Sequence, residues 1–137
     1  MKILKFIWQL PQNLIGFIIT RFSKKKINYL FNDNSNGIIY FNNNFFNSGV
    51  SLGNYIILDT VYNENAIQKT ANHEHGHQKQ SLYLGPLYLL VVGMPSATRN
   101  VIDRLFHKKW IYKERVDWYY GGFPENWADK LGNVERS

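Results

Sequence analysis

Apolar residues recur at helical spacing through the first 22 positions. Ile3, Ile7, Leu10, Leu14, Ile18 and Phe22 form one stripe, which Leu4, Trp8, Ile15 and Ile19 widen. The pattern predicts a helix, kinked near Pro11, whose stripe packs on the domain core. Phe6 to Thr20 are fifteen uncharged positions between Lys5 and Arg21. Gln9, Pro11, Gln12 and Asn13 interrupt them and no small-x-small site follows, so no cleavable signal peptide is evident. The run is also short for a bilayer span. Residues 1–26 equally have the make-up of an amphipathic helix lying in a membrane interface, with Trp8 at the boundary and Lys24, Lys25 and Lys26 on headgroups.

From Gly37 the period shortens. Gly37–Phe41, Gly49–Leu52 and Tyr55–Asp59 read as strands, the last two joined by a Gly53-Asn54 hairpin turn. Tyr55–Leu58 is the expected free edge. Asn65 and Gln68 stand in capping-box spacing ahead of a helix from Ala66 to Tyr83, which Gly85-Pro86 should stop. Ser81 to Thr98 are eighteen uncharged residues broken by Gly85, Pro86, Gly93 and Pro95, expected as buried core. Ser96 should cap a further helix with Val101, Ile102, Leu105, Phe106 and Trp110 on its inner side. Gly121-Gly122 reads as a turn, and Pro124 and Gly132 as the start and stop of a short last helix. The expectation is an α+β fold: one domain over residues 1–137, with a small, mostly antiparallel sheet packed on the 66–83 helix beside further helices.

Composition narrows the chemistry. The 137 residues contain no cysteine, so disulfides, thiol catalysis and Cys-based zinc sites are excluded. The net charge of +6 invites an anionic partner. Lys24-Lys25-Lys26 and His107-Lys108-Lys109 are the basic clusters, and neither sits in a nucleic-acid-binding motif, which argues against nucleic acid. The sixteen asparagines, dense from Asn32 to Asn47, suit turns and loop ends.

The segment His73-Glu74-His75-Gly76-His77 contains H-E-x-x-H. On a helix, His73 and His77 lie one turn apart on one face and can converge on one metal ion, while Glu74, about 100° round, can reach a water on it. His75 points away from the pair. A zinc site needs a third protein ligand and an open position. Candidates are His107, Glu114, Asp117, Glu125 and Asp129. Glu125 and Asp129, four apart on the last helix, offer a ligand and a hydrogen-bond acceptor behind a ligand histidine, with Asp117 and His107 in reserve. Two imidazoles and a carboxylate suit zinc, and also iron, cobalt or nickel.

H-E-x-x-H followed by E-x-x-x-D resembles the gluzincin branch of the zincin-like metallopeptidases. His73–Ser81, Leu84–Leu89, Gly93–Ser96 and Glu125–Gly132, with Val50–Gly53 and Leu10–Asn13, are similar to a family of small bacterial proteins of that type. Pro124 and Asn133 stand where those relatives often carry Thr and a second Gly. The resemblance implies a zincin-like fold, zinc on His73, His77 and Glu125, Glu74 as general base, and Asp129 behind a histidine.

The expected activity is zinc-dependent hydrolysis of a peptide bond in a peptide or protein substrate. Zinc lowers the pKa of its water, and Glu74 takes the proton during attack and returns it to the leaving amine. Tyr112, Tyr119 and Tyr120 are candidate oxyanion donors. The alternative is a metal-binding, membrane-peripheral protein without protease activity. An intramembrane protease fits poorly, because Lys69, Thr70, Asn72, Gln78, Lys79 and Gln80 make the motif segment polar. A cytoplasmic or membrane-peripheral location is expected.

Overall fold

A computed structural model describes residues 2–43, 49–60 and 63–136. Asn44 and Asn47 of the asparagine run, and Met1 of the first helix, lie outside these. The order is α1 (Lys2–Trp8), α2 (Leu10–Thr20), β1 (Lys25–Leu30), β2 (Asn36–Asn42), β3 (Gly49–Leu52), β4 (Tyr55–Asp59), α3 (Glu64–Leu84), α4 (Met94–Phe106), α5 (Tyr112–Gly121) and α6 (Glu125–Leu131). A tight turn at Gly85–Leu87 and a wide helical turn at Leu89–Gly93 join α3 to α4. The fold is α+β, with a mixed sheet in the order β1-β2-β4-β3.

The sheet differs from expectation in two ways. β1 was not anticipated: Lys25 and Lys26, read as the end of a 1–26 helix, begin a strand paired antiparallel with β2 through Ile27↔Ile39. β4 is interior rather than an edge, pairing parallel with β2 (Ile39↔Ile56) and antiparallel with β3 (Val50↔Ile57). The reason is burial on both faces. Ile56, Ile57 and Leu58 are all inaccessible to solvent, an unbroken apolar run that suits a central strand better than an edge. Among the described residues, the free edge beside the long helix is β3.

Ile39, Phe41, Ile56 and Leu58 pack with Phe31 and with Ala71 of α3, so one sheet face and the motif helix share a core. Truncating Ile39, Phe41, Ile56 or Leu58 to alanine should cost about 2–5 kcal/mol. The two-residue hairpin at Gly53-Asn54 forms as read, with Gly53 at φ +63° where other residues are strained. α3 starts earlier than expected: Asn63, rather than Asn65, is its cap, its side chain accepting from the Ala66 N–H at 2.8 Å. Gly85, at φ +56°, ends it.

The amino-terminal helices are turned the other way from the expectation. The break falls at Gln9, with Pro11 in the first turn of α2. Gln9, Gln12, Asn13 and Gly16 face inward, and the apolar stripe faces solvent. Specific polar contacts outweigh burial of the stripe. Gln12 Nε2 donates to Ser81 Oγ and the Gly85 carbonyl, both at 2.8 Å, and Ser81 Oγ donates to Gln9 Oε1 at 2.6 Å. Asn13 Oδ1 accepts from the Asn54 N–H at 2.7 Å. Gly16 lets the backbone approach Leu52 and Tyr55; a Cβ there would stand 2.9 Å from the Leu52 carbonyl oxygen.

The 81–98 stretch is not the buried core expected. Tyr88 and Val92 are buried, whereas Leu82, Tyr83, Leu87, Leu90, Val91 and Met94 are exposed. α4 begins at Met94, so Ser96 lies within it rather than capping it, and Val101, Leu105, Phe106 and Trp110 are also exposed. α4 is held to α5 by polar contacts instead. Asp103 takes Arg115 at 2.6 Å, and Arg99 donates to the carbonyls of Trp118 and Tyr119 while lying over the Trp118 ring. Among the described residues, no helix is long and apolar enough to cross a membrane.

Candidate metal centre

α3 and α6 meet backbone against backbone at two glycines. A Cβ on Gly76 would lie 1.9 Å from the Ala128 carbonyl oxygen, and one on Gly132 would lie 2.0 Å from that of Asn72. This contact lets short acidic side chains on α6 reach the histidines of α3. Glu125 and Asp129, one turn apart, both face them.

His73 Nε2 and His77 Nε2 lie 2.8 and 3.0 Å from the same oxygen, Glu125 Oε2. All three side chains are buried. Their ligand atoms lie within 4.8 Å of one another, and no other group of three His or acidic side chains with that property occurs among the described residues. The Nδ1 atoms are engaged elsewhere. His73 Nδ1 donates to Asp129 Oδ1 at 2.7 Å. His77 Nδ1 meets Gln80 Oε1 at 2.6 Å, and the Gln80 amide nitrogen donates to the Pro124 carbonyl at 3.1 Å, which assigns the amide oxygen to the histidine. Each neutral ring therefore presents an Nε2 lone pair to a carboxylate oxygen. That arrangement is repulsive unless a cation, a proton or a metal ion, lies among the three atoms.

The protonation energetics agree. Burial disfavours a charged His73, but the hydrogen bonds to Asp129 and Glu125 outweigh it and push its pKa up to about 9. Burial would raise the Glu125 carboxyl, yet the two histidines hold it below the usual carboxylate range. Glu74 is raised, chiefly by burial, with the histidines opposing. Asp129 is lowered despite burial, through His73 and Arg136.

The donor set fits a divalent ion. It offers two imidazoles with fixed tautomers, a carboxylate oxygen, and an acceptor behind each ring. His73, His77 and Glu125 could hold such an ion, with their solvent side open to the molecule's surface cleft. On that side lies a cavity of about 750 Å³ with Glu74, His77 and Glu125 on its floor. β3 forms one wall and α4 another, and the lining is largely apolar.

The remaining candidates separate. Tyr119 lines the cavity and hydrogen-bonds with Ser96. Tyr120 sets its ring edge-on to His73 at 5.0 Å, beneath the Arg136 guanidinium. Burial raises both phenols well above their ordinary value. Tyr112 is 84% exposed and is not brought into the group, because the start of α5 points to solvent. His75 stacks on Phe31 and meets Asp33 at 2.9 Å. His107 stacks on Trp110 and contacts Asp103. Glu114 accepts from the Ile111 N–H, and Asp117 pairs with Lys113.

Four participants escaped the sequence reading. Gln80 sits three residues after His77 and could have been found by spacing. Ser96 donates to Glu125 Oε1, Arg136 grips both Asp129 oxygens at 2.9 and 3.0 Å, and Tyr88 donates to the Ser51 carbonyl at 3.0 Å. These three reach their partners only through the fold. No family model matches the chain, nor does any curated protein or solved structure.

Proposed function

We propose that this protein is a zinc-dependent peptidase of zincin-like construction. The observation that carries the reading is the convergence of both Nε2 atoms on Glu125 Oε2, with Glu74 on the same cavity floor. Bound zinc would supply a Lewis acid that polarises a carbonyl and acidifies water.

The chain's own residues supply the rest. Glu74 is poised to take a proton from water and hand it to the leaving amine, and its burial makes the protonated form more accessible than on an exposed carboxylate. Gly49 leaves room for that carboxylate: a Cβ there would stand 3.1 Å from Glu74 Oε1. Tyr119 keeps its proton and, on turning away from Ser96 Oγ, can donate it to a developing oxyanion. An extended peptide would lie along β3. Antiparallel alternation from the Leu52↔Tyr55 pair turns the backbone groups of Gly49 and Ser51 to the free edge, where Tyr88 already occupies the Ser51 carbonyl.

The test is Glu74→Gln, with zinc measured by elemental analysis and cleavage followed on a mixed peptide library. Retained zinc with hydrolysis down at least ~100-fold is expected. A wild-type chain with full zinc occupancy that cleaves nothing would leave metal binding alone and reject the peptidase reading.

A further inference from the structure

We propose that α1 and α2 lie flat on an anionic lipid bilayer. The two helices are inverted relative to a water-facing pair. Their inward side is polar and bonded, through Gln9, Gln12 and Asn13, to α3 and to the β3–β4 hairpin. Their outward side is apolar: Ile3, Ile7, Leu14, Ile18 and Phe22 are 74%, 57%, 50%, 60% and 76% exposed. Trp8 ties the segment down by donating from Nε1 to the Leu82 carbonyl at 2.9 Å, and its ring packs on Gly85. α2 also packs on the Gly85–Leu87 turn, where Leu87 adds to the exposed apolar surface. Apolar exposure on this scale marks a surface that meets something other than water.

Charge identifies the occupant. The first 32 residues carry six Lys and Arg and no Asp or Glu, while the remaining basic and acidic residues number ten each. The whole net charge of +6 therefore belongs to this segment. Lys2, Lys5, Arg21, Lys24, Lys25 and Lys26 are all exposed. A two-fold pairing of this surface with its copy would oppose two strongly positive faces, which disfavours self-association. Anionic headgroups complement it, and the apolar stripe can enter the acyl boundary. Helices of seven and eleven residues are too short to cross, so the mode available is in the plane.

The experiment is co-sedimentation of the full chain with vesicles of phosphatidylcholine alone and of phosphatidylcholine with about one-third phosphatidylglycerol. The chain should pellet with the anionic vesicles, remain soluble with the neutral ones, and detach as salt rises. Leu14→Glu with Ile18→Glu should cut partitioning by at least ~10-fold. Lys26→Gln, on the sheet face that α2 covers, should weaken it roughly fivefold, and Lys25→Gln less, because Lys25 lies over the Phe41 ring on the α3 face. These positions are exposed, and circular dichroism with zinc content on the same samples confirms that fold and metal centre persist, whatever the fate of the peptidase reading. The proposal is overturned if the wild type ignores anionic vesicles at low salt. It is equally overturned if L14E/I18E binds like wild type, or if light scattering shows a dimer that L14E/I18E converts to monomer.

Discussion

Gly76 presses its bare Cα against the carbonyl of Ala128, so that a Cβ would lie 1.9 Å from the oxygen. The obstacle is backbone, which cannot rotate aside as a side chain would. The glycine inside the H-E-x-x-H segment thus sets how near α6 comes to α3, and hence whether Glu125 reaches both histidines.

Gly76→Ala is expected to push α6 away and to cost about 1–3 kcal/mol, despite alanine's better helix propensity. Urea denaturation should show the loss, and zinc content should fall with it. A fully stable, zinc-replete G76A would contradict the packing argument.

His77→Ala should abolish stoichiometric zinc, because a carboxylate and one imidazole remain. Zinc at ~1,000 times its Kd would stabilise the wild type by about 4 kcal/mol. Chelation should therefore lower the wild-type Tm clearly and leave that of H77A unmoved, as differential scanning fluorimetry can read.

Arg136 holds Asp129, and Asp129 holds His73. Arg136→Ala should weaken zinc binding by about 10–100-fold through loss of ring orientation, with Arg136→Lys intermediate. Competition against a chromophoric chelator measures this directly.

Asp103 provides the acid-side stability test, remote from the metal group. Burial would raise its carboxyl, but Arg115 and His107 outweigh that and lower it in the folded state. A depressed folded pKa gives stability that is present above the unfolded value near 3.9 and lost as pH falls through the folded one. Asp103→Asn should cost about 1–2 kcal/mol at pH 6. The gap to wild type should close progressively below pH 4 in parallel urea titrations.

Much of the fold was legible where a residue's own conformational preference decides the outcome. Gly53-Asn54 forms its hairpin turn, Gly85 ends α3 and Gly132 ends α6, each within the segment that carries the signal. Glu125 and Asp129 face α3 together because four residues make one helical turn. The unbroken apolar run Ile56-Ile57-Leu58 already carried the sign of an interior strand, and reading Tyr55–Leu58 as an edge overlooked it. Reading the α2 stripe as core-facing assumed that apolar residues always turn inward. Three amide side chains with specific partners reversed that.

By itself, the sequence determined the local elements and the spacing of His73, His77, Glu125 and Asp129, since helical period, caps and turn conformations depend on residues a few positions apart. Only the tertiary structure decided which face of α2 meets the protein, and that Ser96 and Arg136 hold the two acidic residues. Those outcomes depend on the free energy of pairing groups far apart in the chain, such as Gln12 with Ser81 or Ser96 with Glu125, and no pattern along one segment encodes its partner.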